Sequence, residues 1–258
     1  MSDKPLAVII MAAGQGKRMQ DPSKAKVLYP LAGKPMLGHV LTLCSKLECA
    51  RSICIVGFAR EHVAQYVQTE FPGVLIAIQQ EQLGTGHAVQ QAEPEMLNFE
   101  GDVLVLSGDV PLLSIETVRR LIMTHRLKCA LATVLAVRLS DPTGYGRIVR
   151  NKTGNLERIV EEKDASSEER ALREINTGIY VFDCRALFDA LKFVDRRNAQ
   201  GEYYLTDTLA LIAARYGSDS VAVELTGDEA EVAGVNTKIQ LEELEAEYLR
   251  RTGPSSGE

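Results

Sequence analysis

The sequence predicts an α/β fold, a Rossmann-like, doubly wound and mostly parallel sheet with an inserted β-hairpin wall. Three observations carry that expectation. Short β-branched runs alternate with helical patterns through the first half, several of the runs are apolar on both faces, and the second half turns to strand-like runs with shorter polar connections. Strands apolar on both faces need cover on both sides. Strand, helix, strand in this order gives right-handed crossovers and a parallel sheet.

The expected strands of the first half are "LAVIIMA" at 6–12, "SICIVG" at 52–57, "VLIAI" at 74–78, "DVLVLS" at 102–107 and "ALATVLAV" at 130–137. Pro35 opens a helix at a favoured first-turn position, and Met36, Val40, Leu43 and Leu47 line one face of it. A second helix follows in "VGFAREHVAQYVQ". Ser114 caps a third, "IETVRRLIMTHRL", with Glu116 and Thr117 in its first turn. Beyond these, "RIVRN", "NLERIVE" and "INTGIYVFD" read as hairpins laid against the sheet, forming one wall of a cleft. Thr206 caps "DTLALIAARYG", "SVAVEL" is a further strand, and "TKIQLEELEAEYLRR" is a charged closing helix. The expected organisation is one domain over 1–236, a C-terminal helix over 237–251 and a flexible tail over 252–258, with no internal repeat.

At 258 residues the chain has ample core, and a net charge of -6 with a pI near 5.4 argues against nucleic acid or an anionic membrane as partner. Five cysteines without a C-x-x-C pair read as reduced and buried, in a cytoplasmic protein. The opening "MSDKPLAVII" has no cleavage-like site, and no apolar run reaches the ~18 residues of a spanning helix. Four scattered histidines offer no zinc-ligand spacing.

The first chemistry sits in "MAAGQGKRM", 11–19, directly after a strand. Its glycines let backbone amides approach a ligand, often a phosphate. A dinucleotide fingerprint would need a third glycine where Met19 stands, and a P-loop would need glycine at Met11 and a hydroxyl at Arg18. A phosphate-clasping loop with its own cations remains, beside the plainer reading of a tight turn. Lys17, Arg18, Lys24, Lys26 and Lys34 put five cations within eighteen residues of an acidic chain, which favours a local anion site.

Asp109 ends a strand in "SGDVP", where a carboxylate after a glycine suits a hard cation that also touches phosphate. Such a cation needs a second oxygen ligand; the same residues also suit a simple turn. In "QQEQLGTGHA", 79–88, the carboxamides of Gln79, Gln80 and Gln82 precede Gly84-Thr85-Gly86 at the start of a helix. Carboxamides and free backbone groups match the edge of a uracil-like base, and a polar loop capped by Thr85 is the alternative.

The ordered set "AAGxGxRM", "AKVLYPLAGKPM", "EQLGTGHA", "GDVPL", "DPTGYGRI", "IVEEKDA", "EINTGIY", "AQGEYYLTD" and "VAGVN" resembles the bacterial N-acetylglucosamine-1-phosphate uridylyltransferases, from about residue 6 to about residue 250. The opening motif belongs to sugar nucleotidyltransferases in general, whereas "QLGTGHA" with "DPTGYGR", "INTG" and "GEYY" is more specific. The resemblance implies the nucleotide-diphospho-sugar transferase fold, with its hairpin wall binding the sugar. It implies UTP and N-acetylglucosamine 1-phosphate as substrates, UDP-N-acetylglucosamine and pyrophosphate as products, and Mg²⁺ as cofactor. Met11, Ala12, Ala13 and Gly14 would meet the nucleotide, with Arg18 and Lys26 as catalytic cations on the triphosphate. Gln79, Gln82, Gly84 and Thr85 would hold the uracil, and Ser107 and Gly108 would lie by the ribose. Gly146, Glu161, Asn176 and Tyr204 would hold the sugar, Lys163 would approach the α-phosphate, and Asp109 with Asn236 would ligate the metal.

Against the family pattern, Lys17 stands where threonine is usual, Gln15 where lysine or serine is common, Ala25 where proline is, and Ser107 where tyrosine is. The bifunctional relatives continue into a trimerising left-handed β-helix with acetyltransferase activity. This sequence stops after "RRTGPSSGE", so neither that activity nor a trimer by that route is expected, and the residues set no oligomeric state. Two alternatives stand beside the uridylyltransferase reading: transfer to another sugar 1-phosphate, and a non-catalytic nucleotide-sugar sensor.

Overall fold

The computed structural model describes residues 4–19 and 24–253. Eleven strands are present among them: β1 (Leu6–Ala12), β2 (Pro30–Leu31), β3 (Lys34–Pro35), β4 (Arg51–Val56), β5 (Leu75–Ile78), β6 (Asp102–Ser107), β7 (Ala132–Arg138), β8 (Arg147–Arg150), β9 (Leu156–Val160), β10 (Glu174–Asp183) and β11 (Val221–Thr226). The α-helices are α1 (Met36–Cys44), α2 (Arg60–Glu70), α3 (Thr85–Gln90), α4 (Ile115–Leu127), α5 (Ser167–Arg170), α6 (Cys184–Leu191), α7 (Asp207–Tyr216) and α8 (Lys238–Thr252).

The main sheet runs in the order β11-β7-β10-β6-β1-β4-β5. Pairings β1 with β4, β1 with β6, β4 with β5 and β11 with β7 are parallel, while β10 runs antiparallel to both β6 and β7. Side chains alternate between the faces of each strand, so β1 sends Ala7 and Ile9 to one core and Val8 and Ile10 to the other. One core lies under α3, α6 and α7; the other lies under α1, α2 and α4. Removing both faces from water is what makes β1 wholly apolar, together with the stretches 53–56 of β4 and 103–106 of β6.

The predicted hairpin region is built differently from the expectation. Of these runs only β8 and β9 form a hairpin, and "INTGIYVFD" with Glu174 before it makes the ten-residue β10, which inserts antiparallel into the middle of the main sheet. The reason is burial: Ile179, Val181 and Phe182 are inaccessible on a strand covered on both faces. A register shift between Asn176 and Tyr180 divides β10, and Ile175 just before it also pairs with Arg147 of β8.

Helix signals hold with three changes. The Ser114 hydroxyl accepts from Thr117 N at 3.2 Å, and the Thr237 side chain and Gln240 form a capping box at α8. Pro35 lies just outside α1, in extended backbone, and Leu47 falls beyond its end. Thr206 gives no side-chain cap to α7. Helix α8 runs through Thr252, so of the expected tail, 254–258 lies outside the described residues. All five cysteines are free, with Cys129 exposed and Cys49 half-buried. Among the described residues no helix is long and apolar enough to cross a membrane.

Candidate active site

A cleft of about 760 Å³ opens beyond the carboxyl ends of β1 and β6, where an open parallel sheet presents loop backbone to a ligand. The loop after β1 forms its floor. Met19, standing where a third glycine was absent, is 1% exposed and anchors the short 3₁₀ turn Lys17–Met19, while Arg18 beside it is exposed and lines the cleft. Gly16 has φ +58°, and a Cβ there would come within 2.6 Å of Lys26 Cβ. That glycine is what lets the Lys26 turn close against the first loop.

Lys26 Nζ donates to Asp109 Oδ2 in a short ion pair and to Asn236 Oδ1 at 3.1 Å. The Ser107 hydroxyl donates to Asp109 Oδ1 at 2.5 Å. Burial opposes ionisation of Asp109, but the Lys26 charge and the hydrogen bonds from Lys26 and Ser107 prevail and hold its carboxyl below the usual range. Backbone fixes the partners: Gly108 N donates to Met11 O at 2.9 Å, and Val235 N donates to Asp109 O at 3.1 Å. Asn236 N donates to Gln240 Oε1 at 2.8 Å, so the cap of α8 seats Asn236 opposite Asp109.

Two oxygens from distant segments thus converge on one cationic nitrogen. A carboxylate and an amide carbonyl are hard donors, and two protein oxygens leave the remaining positions of a hexacoordinate cation to water and phosphate, which suits a hard divalent cation. The donor set fits the metal, with the Lys26 ammonium standing where its charge would be.

On one side of the cleft, "QQEQLGTGHA" follows the edge strand β5 and enters α3. Gly84 has φ 114° and ψ 175°, and a Cβ there would lie 2.5 Å from Tyr203 O. This close approach joins the loop to 203–205, through Gly86 N to Tyr203 O and Tyr203 N to Leu83 O, each at 2.8 Å. The Thr85 hydroxyl accepts from Leu205 N at 3.0 Å instead of capping α3. Gln79 and Gln82 line the cleft, whereas Gln80 takes the Arg60 guanidinium at the surface.

The hairpin gathers a second group. Asn176 N donates to Gly146 O at 2.8 Å, and a Cβ on Gly146 would come within 3.3 Å of the Glu161 carboxylate. The Thr206 hydroxyl, diverted from its helix, donates to Glu161 Oε1 at 3.2 Å. Burial pushes the Glu161 carboxyl up; the Thr206 bond opposes the shift, and Asp207, Asp164 and Glu202 add to it. Tyr204 is buried, its hydroxyl donating to Asp164 Oδ2 at 3.1 Å and accepting from Gln200 Nε2 at 2.9 Å.

Of the residues expected from sequence, Met11, Ala12, Ala13, Gly14, Arg18, Lys26, Gln79, Gln82, Gly84, Thr85, Ser107, Asp109, Lys163 and Asn236 line the one cleft. Gly146, Glu161, Asn176 and Tyr204 are not among the residues that line it: Gly146 meets Glu161 and Asn176, Tyr204 bonds to Asp164 and Gln200, and Gly108 packs its Cα side toward Leu37, Met11 O and Val27. The cluster of five cations divides. Arg18 and Lys26 line the cleft, Lys24 lies 4.8 Å over the Tyr29 ring, and Lys34 lies 5.9 Å over the Phe71 ring and donates to Thr42; the Lys17 side chain lies outside the described residues. Sequence reasoning missed Gln200 and Glu202, which line the cleft, although "AQGEYY" is a polar run just before a helix. It also missed Tyr145, whose hydroxyl is held above its usual range by burial and the Asp109 charge, with Arg18 opposing.

Residues 7–228 match the nucleotidyl transferase family. The bifunctional protein GlmU of Geobacillus thermodenitrificans is 48% identical over 239 residues, covering 92% of this chain and 50% of the relative. That of Corynebacterium efficiens is 42% identical over 255 residues, covering 97% and 52%. The chain therefore spans about half the length of the curated relatives it matches. Among solved structures, a Bacillus anthracis protein assigned as a glucose-1-phosphate thymidylyltransferase and crystallised with sucrose superposes with a TM-score of 0.71 at 19% identity, covering 98% of each chain, which is a likeness of fold.

Proposed function

Because the chain belongs to the nucleotidyl transferase family, we propose that it transfers UMP from UTP to N-acetylglucosamine 1-phosphate, releasing pyrophosphate and UDP-N-acetylglucosamine. The observation that carries this reading is the meeting of Asp109, Asn236 and Lys26 at the mouth of a cleft that also holds Arg18 and the Gln79 and Gln82 amides. Similarity to the GlmU proteins over nearly the whole chain supports the same choice of substrates.

The chemistry asks little proton transfer of the protein. A phosphate oxygen of the sugar phosphate, already ionised, attacks the α-phosphorus of UTP; the bond from that phosphorus to the bridging oxygen breaks, and pyrophosphate leaves with the electron pair. The task is to bring two polyanions into line and neutralise the charge that gathers on the leaving group. Arg18 and Lys26 would supply positive charge toward the departing phosphates, and Lys163, which lines the same cleft, would approach the α-phosphate. Backbone from Met11 to Gly14 lines the cleft where the nucleotide would lie, and Ser107, which also lines it, would flank the ribose with Gly108 beside it. A divalent metal, Mg²⁺ in this reading, would be held by Asp109 and Asn236 and would supply further charge neutralisation. With those oxygens engaged, Lys26 would be free to meet phosphate.

Gly146, Glu161 and Asn176 would receive the sugar. A carboxylate accepts from hydroxyls and a carboxamide both donates and accepts. The half-buried position of Glu161 makes each such bond stronger than it would be in open water. A cytoplasmic setting, where UTP is available, belongs to this reading.

The test is pyrophosphate release from UTP and Mg²⁺, with N-acetylglucosamine 1-phosphate, glucosamine 1-phosphate and glucose 1-phosphate offered separately. Release with the N-acetylated sugar alone is the expected result. Preference for glucose 1-phosphate would keep the reaction and overturn the substrate, and absence of release with all three would favour a nucleotide-sugar sensor.

A further inference from the structure

We propose that His87 is a positioning residue that sets base selectivity: it locks the Gln79 amide with its carbonyl turned to the cleft, which favours uracil over cytosine. The inference rests on the reading that this loop holds the base of a nucleoside triphosphate.

Gln79 is 3% exposed and lines the cleft at the end of β5. Its Nε2 makes two contacts, to Gly84 O at 3.0 Å and to His87 Nδ1 at 3.1 Å. A backbone carbonyl can only accept, so the atom facing Gly84 O must be the amide nitrogen. The second amide hydrogen is then directed at His87 Nδ1, which must accept it, and the imidazole carries its proton on Nε2. Both hydrogens of Gln79 are thereby used inside the protein. Its Oε1 takes no donor among the described residues and is the polar atom left for a ligand.

The neighbouring amide shows the contrast. Gln82 Nε2 donates to Gln79 O at 3.2 Å, and Gln82 Oε1 accepts from Gln15 Nε2 at 3.4 Å, so its carbonyl is already engaged. Gln79 is the one of the two with a free acceptor. His87 is itself held in place on α3, its ring centroid 6.2 Å from that of Tyr203 and its carbonyl accepting from Gln91 Nε2 at 2.9 Å.

An outward carbonyl distinguishes the pyrimidines at N3. Uracil carries a hydrogen there, which the carbonyl accepts, whereas cytosine presents a lone pair that repels it. One bond to Gly84 O would tether the amide yet leave it free to swing; the second bond, to His87, fixes the plane. A neutral hydrogen bond of this kind corresponds to about 3- to 10-fold in selectivity.

The experiment compares kcat/KM for UTP and CTP at saturating N-acetylglucosamine 1-phosphate in the wild type, in His87→Phe, which keeps a ring without an acceptor, and in His87→Asn, which keeps an acceptor oxygen near Nδ1. In His87→Phe the UTP to CTP ratio should fall about 3- to 10-fold, mainly through the KM for UTP, and His87→Asn should retain most of it. Equal losses with both nucleotides, or no rescue by asparagine, would make His87 merely structural and overturn the proposal. Nitrogen-15 NMR of histidine-labelled wild-type protein decides the lock without any variant: the proton belongs on His87 Nε2, and finding it on Nδ1 would overturn the proposal. A wild type that turns over neither nucleotide would sink the functional reading, and base selection with it, whatever the tautomer.

Discussion

Replacing Gly84 by alanine should separate the base-side loop from the segment that carries Tyr203. At φ 114° and ψ 175° the backbone lies in a region that L residues scarcely visit, with a strain of about 1–3 kcal/mol. The added Cβ would stand 2.5 Å from Tyr203 O and 2.8 Å from Tyr203 N, and neither backbone atom can swing aside as a side chain would. Those same two atoms make the bonds to Gly86 N and Leu83 O, so relief of the clash breaks both, at about 0.5–1.5 kcal/mol each. The sum is about 2–6 kcal/mol, which for a chain of this size lowers Tm by about 5–15 °C. Thermal unfolding followed by calorimetry, with KM for UTP measured alongside, reads both the global and the local consequence. Gly154→Ala is the control, because Gly154 also has a positive φ, +85°, but no atom lies within 4 Å of its Cβ position, so only strain remains. A Gly84→Ala protein with Tm and KM unchanged, or no worse than Gly154→Ala, would refute the argument from close approach.

Asp109→Asn removes the charge that pairs with Lys26 and weakens the proposed metal ligand; turnover should fall by far more than the affinity for UTP measured without Mg²⁺, and parallel losses would make Asp109 a binding or folding residue. Burial raises the Asp207 carboxyl to about 6, with Asp195 and Asp164 adding to the shift. Since this lies above the ordinary value of 3.8, the native state holds the proton more tightly, and the stability this contributes is full below about pH 4 and lost as pH rises through about 6. Asp207→Asn should therefore raise Tm relative to the wild type at pH 7.5 with the gap closing near pH 4, and a gap independent of pH would contradict the assignment. The Arg147 side chain is 2% exposed, binds Glu162 Oε2 at 2.7 Å, and donates to Tyr145 O. Arg147→Met should cost about 1–3 kcal/mol in denaturant unfolding, because the Tyr145 carbonyl loses its donor, whereas Glu162 is partly exposed and keeps Gly144 N and Arg170. Arg147→Lys should recover only part of it, since the two contacts are made by separate nitrogens of a planar fork that a single ammonium does not reproduce; near-full recovery would show that charge alone matters.

Much of this architecture is local, and local features are legible in a sequence. The strands of "LAVIIMA" and "DVLVLS" appear at the residues expected, because a run buried on both faces admits little besides apolar side chains. Ser114 caps its helix because a hydroxyl three residues before an uncovered amide can reach it in any context. Arg18 and Asp109 could be singled out because loops at the carboxyl ends of parallel strands face one cleft.

What the sequence by itself determined, then, was the alternation of elements, their caps and the residue types at the strand ends. Only the tertiary structure decided the partners. "INTGIYVFD" has the same apolar pattern whether it lies in a hairpin or, as it does, as β10 between β6 and β7, since the pattern reports burial and not the neighbour. Thr206 resembles a helix cap until Glu161 comes within 3.2 Å of its hydroxyl. Of the five cations near the first loop, Tyr29 and Phe71 draw Lys24 and Lys34 away from the cleft. Asn236 meets Lys26 across 210 residues of chain, because the cap of α8 and the backbone of Asp109 hold it there. Period and propensity act over a few residues, whereas a site is made by contacts between segments that only the closed core brings together.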